Sequence, residues 1–245
     1  MENLEIKTSK GLRGALRVPA DKSISHRSVI ISSLAEGKSA ISNFLKSEDC
    51  LWTLKAYESL GVNICWEKDT LIIKGKGLRA LKAPADKLYF GNSGTGVRLS
   101  AGVLAGCGFT ARLTGDESLS SRPMRRITEP LMKMGAEISG GDNANFLPLT
   151  IRGGGLKAIS YKSPIASAQV KSSILFAGLS AEGKTTVSEP YRSRDHTERM
   201  LAAYGADIEV NDLEIAIKPT AHLKARQISV PADISSAAFL WWPHL

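Results

Sequence analysis

The chain has 245 residues, 43% of them hydrophobic and 23% charged, with 32 Lys and Arg against 24 Asp and Glu for a formal net charge of +8. That balance suits a soluble globular chain with a real core, as one large domain or two small ones, and a partner that is acidic. Scattered cations, few aromatics and no RNP-like, zinc-finger or helix-turn-helix pattern argue against a nucleic-acid module, and no apolar run is long enough to span a bilayer.

The N-terminus, Met1-Glu2-Asn3-Leu4-Glu5, is acidic and lacks the apolar stretch of a signal peptide. Cys50, Cys65 and Cys107 are odd in number and never arranged as CxxC, so they read as reduced thiols, not a disulfide framework or zinc site, and the expected compartment is the cytoplasm. Leu4-Glu5-Ile6 is predicted to be a strand. The first polar cluster, Ala20-Asp21-Lys22-Ser23-Ile24-Ser25-His26-Arg27, stands directly before the apolar run Val29-Ile30-Ile31 to Leu34. Ser23 or Ser25 can act as N-cap, so a helix is predicted to begin here. Lys22 and Arg27 sit at the wrong end of its dipole for helix stability, whereas free N–H groups at a helix start attract anions. That conflict points to an anionic ligand, although the octapeptide also fits an ordinary Ser-capped helix with two solvated bases.

A pattern of helix, bulky residue, Gly, strand, turn and strand then occurs three times. It runs through Leu60-Gly61-Val62-Asn63-Ile64, Met134-Gly135-Ala136-Glu137-Ile138 and Tyr204-Gly205-Ala206-Asp207-Ile208, with the glycines about 70 residues apart. Each Gly fits the left-handed position just past a helix end. Strand-like runs follow at residues 70–73, 149–151 and 213–217. Ahead of each lies an apolar helix ending near Gly37, Gly106 or Gly183, then a strand at residues 39–41, 110–113 or 185–187. The expected fold class is therefore α/β (α+β): a pseudo-threefold lobe of three β-α-β-α-β-β units, helices inside and sheets outside. The complete lobe is assigned to residues 12–227. Residues 1–11 and 228–245 fall outside the repeat; they are assigned to a second, missing lobe and expected to be loosely held. A new strand and Ser-capped helix begin near Gln227, but Pro243 interrupts them, so the chain is expected to be cut short.

Polar clusters fall at matching positions of the three units. The first helices open at Lys22–Arg27, at Gly91-Asn92-Ser93-Gly94-Thr95-Gly96-Val97-Arg98 and at Ser167-Ala168-Gln169-Val170-Lys171-Ser172. Under threefold symmetry these N-termini face one way and can share one polyanion. Each dipole is worth about 0.3–1 kcal/mol and each charge-assisted hydrogen bond about 1.5–3 kcal/mol, so several contacts are needed. Gly91, Gly94 and Gly96 let a ligand approach the backbone, in a spacing that is neither a Walker A nor a dinucleotide fingerprint. Arg122 and Arg194 precede the second helices of units two and three. No carboxylate constellation supports His26 as a general base, Asp195 and Glu198 are expected to cap or pair within the helix start at His196, and Cys107 reads as core.

As a set, the segments at residues 20–27, 91–95, 121–124 (Ser-Arg-Pro-Met), 167–172, 193–198 (Ser-Arg-Asp-His-Thr-Glu) and 231–238 (Pro-Ala-Asp-Ile-Ser-Ser-Ala-Ala) closely resemble the 5-enolpyruvylshikimate-3-phosphate (EPSP) synthases, or 3-phosphoshikimate 1-carboxyvinyltransferases, in order. The resemblance implies a fold of two such lobes with the substrates in the cleft between them. It implies transfer of the enolpyruvyl group of phosphoenolpyruvate to the 5-hydroxyl of shikimate 3-phosphate, releasing phosphate, with no metal or organic cofactor. By the same resemblance, Lys22 touches both substrates and takes part in proton transfer. Ser23, Arg27, Ser167, Ala168, Gln169 and Arg194 would hold shikimate 3-phosphate; Asn92, Gly94, Arg122 and Gln169 would hold phosphoenolpyruvate. Ala168 stands where many members of the family have a second Ser, a change that a backbone contact tolerates. The family's second lobe carries an Asp, a Glu and further cations for the chemistry, so this chain is expected to need a complementing C-terminal fragment, or else to bind shikimate 3-phosphate without turning it over. A sister enzyme acting on UDP-N-acetylglucosamine is disfavoured, because Lys22-Ser23 opens the first helix in place of Lys-Asn and no Cys lies on the Arg122 loop.

Overall fold

A computed structural model describes residues 14–220 and 222–241 of the protein. The first unit holds α1 (Lys22–Leu34), β1 (Ala35–Ser42), α2 (Glu48–Ser59), β2 (Asn63–Glu67) and β3 (Thr70–Lys76). The second holds β4 (Leu88–Tyr89), α3 (Gly94–Ala105), β5 (Thr110–Thr114), the single turn α4 (Glu117–Ser120), α5 (Arg125–Lys133), β6 (Glu137–Gly140), the short turn α6 (Gly141–Ala144) and β7 (Phe146–Arg152). The third holds β8 (Ser160–Lys162), α7 (Ala168–Gly178), β9 (Thr185–Ser188), α8 (His196–Ala203), β10 (Ile208–Asn211) and β11 (Glu214–Ile217). β12 (Leu223–Lys224), β13 (Gln227–Ser229) and α9 (Ile234–Trp241) follow. The strand expected at residues 4–6, like the whole of residues 1–11, lies outside the described residues.

The three repeated glycines end α2, α5 and α8 in one way. Gly61, Gly135 and Gly205 have φ of +86°, +106° and +93°. The N–H groups of Val62, Ala136 and Ala206 reach back to the carbonyls of Tyr57, Leu131 and Leu201 at 3.1, 3.1 and 3.0 Å. This is the Schellman closure, and it turns the chain into the hairpins β2–β3, β6–β7 and β10–β11. The bulky residue before each glycine, Leu60, Met134 or Tyr204, is buried and anchors the turn to the core.

Each unit builds one sheet, four-stranded in units two and three and five-stranded in unit one. Two of them have the orders β4-β5-β7-β6 and β8-β9-β11-β10, parallel in the first pair and antiparallel thereafter. The first sheet runs β1-β3-β2, and the place of its leading strand is filled by β12 and β13, both parallel to β1. The chain leaving unit three thus completes unit one. Ile228 pairs with Ile41, Val230 is buried, and the Asp21 N–H donates to the Pro231 carbonyl at 2.8 Å. The expected limit at residue 227 falls inside β13, and residues 228–230 are held in the first sheet, not loose: their alternation of strand-forming residues finds an open edge at β1.

Helices α1, α3 and α7 form the centre. Every residue of α1 from Ser25 to Leu34, every residue of α3 except Thr95, and every residue of α7 from Val170 to Gly178 is buried. Helices enclosed on all sides show no polar stripe, which explains their many small and hydroxyl residues. The α1 hydroxyls are satisfied internally: Ser28 donates to the Ser25 carbonyl at 2.8 Å, Ser33 to Val29 at 2.7 Å, and Ser32 shares a 2.6 Å bond with the Tyr204 hydroxyl. α1 passes straight into β1 at Ala35, so the expected helix end at Gly37 lies two residues inside the strand. Among the described residues no helix is long and apolar enough to cross a membrane.

Candidate functional site

The start of α1 is capped by Asp21, whose Oδ1 accepts from the Ile24 N–H at 2.7 Å. This corrects the expectation of a Ser23 or Ser25 cap. A carboxylate is the stronger acceptor and also complements the helix dipole. Ser23 then lies inside the first turn, and Ser25 Oγ accepts from the Leu45 N–H at 3.1 Å. Ser93 caps α3 through the Gly96 N–H at 2.9 Å, and Ser167 caps α7 through the Val170 N–H at 3.4 Å. None of the three central helices has an acidic residue in its first turn, whereas α2, α4 and α8 carry Glu48 and Asp49, Glu117, and Glu198. α1 has the Asp21 carboxylate at its cap and α7 has Glu189 on the Ser167 N–H at 3.0 Å, while the α3 start carries no carboxylate and keeps its positive end for a ligand.

Side chains tie these starts together. His26 Nδ1 lies 2.8 Å from Thr53 Oγ1 and Nε2 3.3 Å from Ser93 Oγ, joining α1 to α2 and to the cap of α3. Arg27 donates through Nε to Thr197 Oγ1 at 2.6 Å, through Nη2 to Ser172 Oγ at 3.0 Å and through Nη1 to the Ser23 carbonyl at 3.0 Å. Arg194 reaches Ser23 Oγ at 3.4 Å and Ser235 Oγ at 3.2 Å. Ser23, Arg27 and Arg194 therefore form one group, across α1, α7 and α8.

A second group surrounds Gly94. Arg122 donates to the Asn92 carbonyl at 3.3 Å and to Asn92 Oδ1, while Asn92 Nδ2 donates to Asp116 Oδ2 at 2.9 Å. Gln169 accepts from Arg98 Nη1 at 3.0 Å and donates to Thr95 Oγ1 at 3.1 Å. A Cβ added to Gly94 would stand 2.7 Å from Arg98 Nη1, so the buried Arg98 guanidinium would have to shift, and 3.5 Å from Arg122 Nη1, an ordinary contact. Lys22 stands apart at the rim, half exposed, its Nζ 3.0 Å from Asp49 Oδ2. Ala168 is the first residue of α7 and offers no side-chain donor.

Burial controls the titrations. It lowers His26 to about 3, with Lys22 and Arg27 pushing the same way against Asp49. The imidazole is thus neutral near neutrality and wholly internal. Burial lowers Arg27 to about 10, and Arg98 to about 10 with help from Arg126 and Arg122; both remain cations near neutrality. His196 is also lowered, by burial first and then by Arg27.

Asp195 stands at the α8 start, 4.0 Å from His196 Nδ1, but makes no cap bond. Glu198 does not pair within its helix start. It turns inward to Lys171, whose Nζ lies 2.7 Å from Glu198 Oε1 and 2.7 Å from Glu189 Oε2. Arg98, Asp49 and this buried trio were not identified as site residues from sequence. The available signal was a cation inside an otherwise small and apolar helix, as at Val97-Arg98-Leu99 and Val170-Lys171-Ser172.

Residues 6–242 match the family model described as EPSP synthase (3-phosphoshikimate 1-carboxyvinyltransferase). The chain is 51% identical over 228 residues to a 3-phosphoshikimate 1-carboxyvinyltransferase of Bacillus pumilus, covering 93% of this chain and 53% of the relative. It is 52% identical over 239 residues to that of Pelotomaculum thermopropionicum, covering 97% and 56%. A solved EPSP synthase from Acinetobacter baumannii superposes with a TM-score of 0.88 at 50% identity, covering 92% of this chain and 51% of that one. The chain spans about half the length of the curated relatives it matches. With a matched model over nearly its whole length, half-identical relatives and a shared fold, the chain belongs to the EPSP synthase family.

Proposed function

We propose that this chain supplies the shikimate 3-phosphate half of a 3-phosphoshikimate 1-carboxyvinyltransferase. The observation that carries the reading is the gathering of Arg27, Arg98, Arg122 and Arg194, with Lys22 at the rim, around the starts of three central helices whose first turns hold no acidic residue. Ser23, Arg27, Ser167, Ala168, Gln169 and Arg194 hold shikimate 3-phosphate, and Asn92, Gly94, Arg122 and Gln169 hold phosphoenolpyruvate. Lys22 touches both and shares in the proton transfers that accompany addition of the 5-hydroxyl to the enolpyruvyl carbon and loss of phosphate. Two anions repel, and a preorganised cationic surface offsets that repulsion. Cytoplasmic residence fits the buried thiols Cys50 and Cys107, which burial pushes up to about 11 and about 12.

A second reading, a lobe that retains shikimate 3-phosphate without chemistry, is favoured by one observation. The carboxylates beside the candidate residues are already engaged: Asp21 caps α1, Asp49 pairs with Lys22, and Asp116 holds Asn92 and caps α4. General acid–base groups commonly contribute about 10²–10⁴-fold each, so a complementing fragment that brings them is needed for turnover. Calorimetry with shikimate 3-phosphate, followed by a phosphate-release assay with both substrates, tests the proposal. Binding with background turnover, rising when a C-terminal fragment of a relative is added, is the expected result. Absence of binding refutes the site, and enzyme-like turnover by the chain alone refutes the need for a partner.

A further inference from the structure

We infer that Glu189 and Lys171 are positioning residues for the phosphate of the substrate, a step that rests on the assignment of Ser167 and Arg194 to shikimate 3-phosphate. Lys171 Nζ lies 2.7 Å from Glu189 Oε2 and 2.7 Å from Glu198 Oε1, and the three residues are 3%, 5% and 3% exposed. Burying an ammonium between two carboxylates adds little net stability compared with apolar residues of the same size, so its geometry asks for another purpose.

That purpose is visible in what Glu189 grips. Its Oε1 accepts from the backbone N–H of Ser167, the cap residue of α7, at 3.0 Å, and both of its oxygens lie 2.8 Å from Ser193 Oγ. One carboxylate thus holds the start of α7 and the residue before Arg194, while Lys171 fixes the carboxylate. Glu198, bound to the same ammonium, directly follows Thr197, which accepts from Arg27 and shares a 2.6 Å bond with Ser172. Ser172 in turn follows Lys171. The clamp therefore registers α7, α8 and the loop between β9 and α8 against the Arg27 guanidinium.

The loop needs such a clamp because packing does not confine it. A cavity of about 380 Å³ opens beside it, bordered by Ser193, Arg194, Asp195 and Asp212, and Tyr191 and Arg192 are exposed. Without Glu189 the loop has room to shift by the small displacement that unseats a donor from a phosphate oxygen.

The test compares shikimate 3-phosphate, measured by calorimetry, with shikimate, measured by ligand-observed NMR, for the unsubstituted chain, Glu189→Gln and Lys171→Met. Both substitutions are expected to weaken shikimate 3-phosphate about tenfold or more, as when one charge-assisted contact is lost, and to leave shikimate within about twofold. Ser193→Ala tests the clamp without altering the buried ion pair and is expected to give a smaller selective loss, about threefold. Tyr204→Phe, which removes the buried bond to Ser32, is expected to lower the melting temperature and leave the ratio of affinities unchanged. A folded Glu189→Gln or Ser193→Ala chain with an unchanged ratio overturns the inference while the site stands. Failure of the unsubstituted chain to bind shikimate 3-phosphate overturns the reading of the site, and this inference with it.

Discussion

His26 gives the sharpest test of the core beneath the site. The imidazole is wholly buried between Thr53 and Ser93, and burial, aided by Lys22 and Arg27, holds it at about 3 against an ordinary 6.5. Below pH 6.5 the unfolded chain takes up a proton on this residue that the folded chain refuses, so stability falls with falling pH until about pH 3. The limiting slope is about 1.4 kcal/mol per pH unit, which gives a loss of about 2 kcal/mol between about pH 7 and about pH 5. His196 is lowered too and acts in the same direction, so the useful quantity is a difference between two chains. Urea unfolding of the unsubstituted chain and of His26→Gln, each at about pH 7 and about pH 5, isolates it. The unsubstituted chain is expected to lose about 2 kcal/mol more over that interval than the variant. Equal losses would show that the imidazole ionises inside the fold, and its assignment as a core residue would fail.

Arg27→Ala removes donors to Thr197, Ser172 and the Ser23 carbonyl; calorimetry is expected to show shikimate 3-phosphate weakened about tenfold or more, with about 1–3 kcal/mol of stability lost in urea. Gly94→Ala places a methyl 2.7 Å from Arg98 Nη1; in complemented enzyme the KM for phosphoenolpyruvate is expected to rise several-fold while that for shikimate 3-phosphate stays within about twofold. Val230→Asp puts a carboxylate at a position 1% exposed beside β13 and is expected to cost about 3 kcal/mol or more in urea unfolding, where a loose tail would show no change.

The threefold repeat is legible in sequence because left-handed glycine after a buried bulky residue is a local requirement, met identically at Gly61, Gly135 and Gly205. Ring closure is less legible. That Gln227–Ser229 should lie beside β1 depends on an open sheet edge some 190 residues away, which no local pattern announces. The N-cap of α1 went to Asp21 because the choice among three adjacent acceptors is made by where the chain enters the helix, and that entry is set by the bond from the Asp21 N–H to Pro231. The Lys171 trio is hidden for a similar reason. Glu189 and Glu198 look like surface residues of a loop and a helix start until α7 packs against both.

Arg27, Arg98 and Lys171 show how one scaffold divides its charge. Each central helix carries one buried cation within its first two turns, at 2%, 4% or 3% exposure, and α1 also carries the half-exposed Lys22. On helix energetics alone all three are misplaced, since each opposes the dipole. Lys171 is neutralised by two carboxylates in direct contact and can only position what surrounds it. Arg27 and Arg98 touch hydroxyls, an amide and backbone carbonyls, none of them charged, so their fields reach the face where Ser23, Gly94 and Gln169 lie. A buried guanidinium with neutral ligands is costly in the empty protein and less so once an anion arrives. The same stability missing from the unliganded lobe is recovered on binding, so shikimate 3-phosphate at a concentration well above its dissociation constant should raise the unfolding midpoint, and Arg27→Ala, by weakening binding about tenfold or more, should cut that stabilisation by about 1.4 kcal/mol or more.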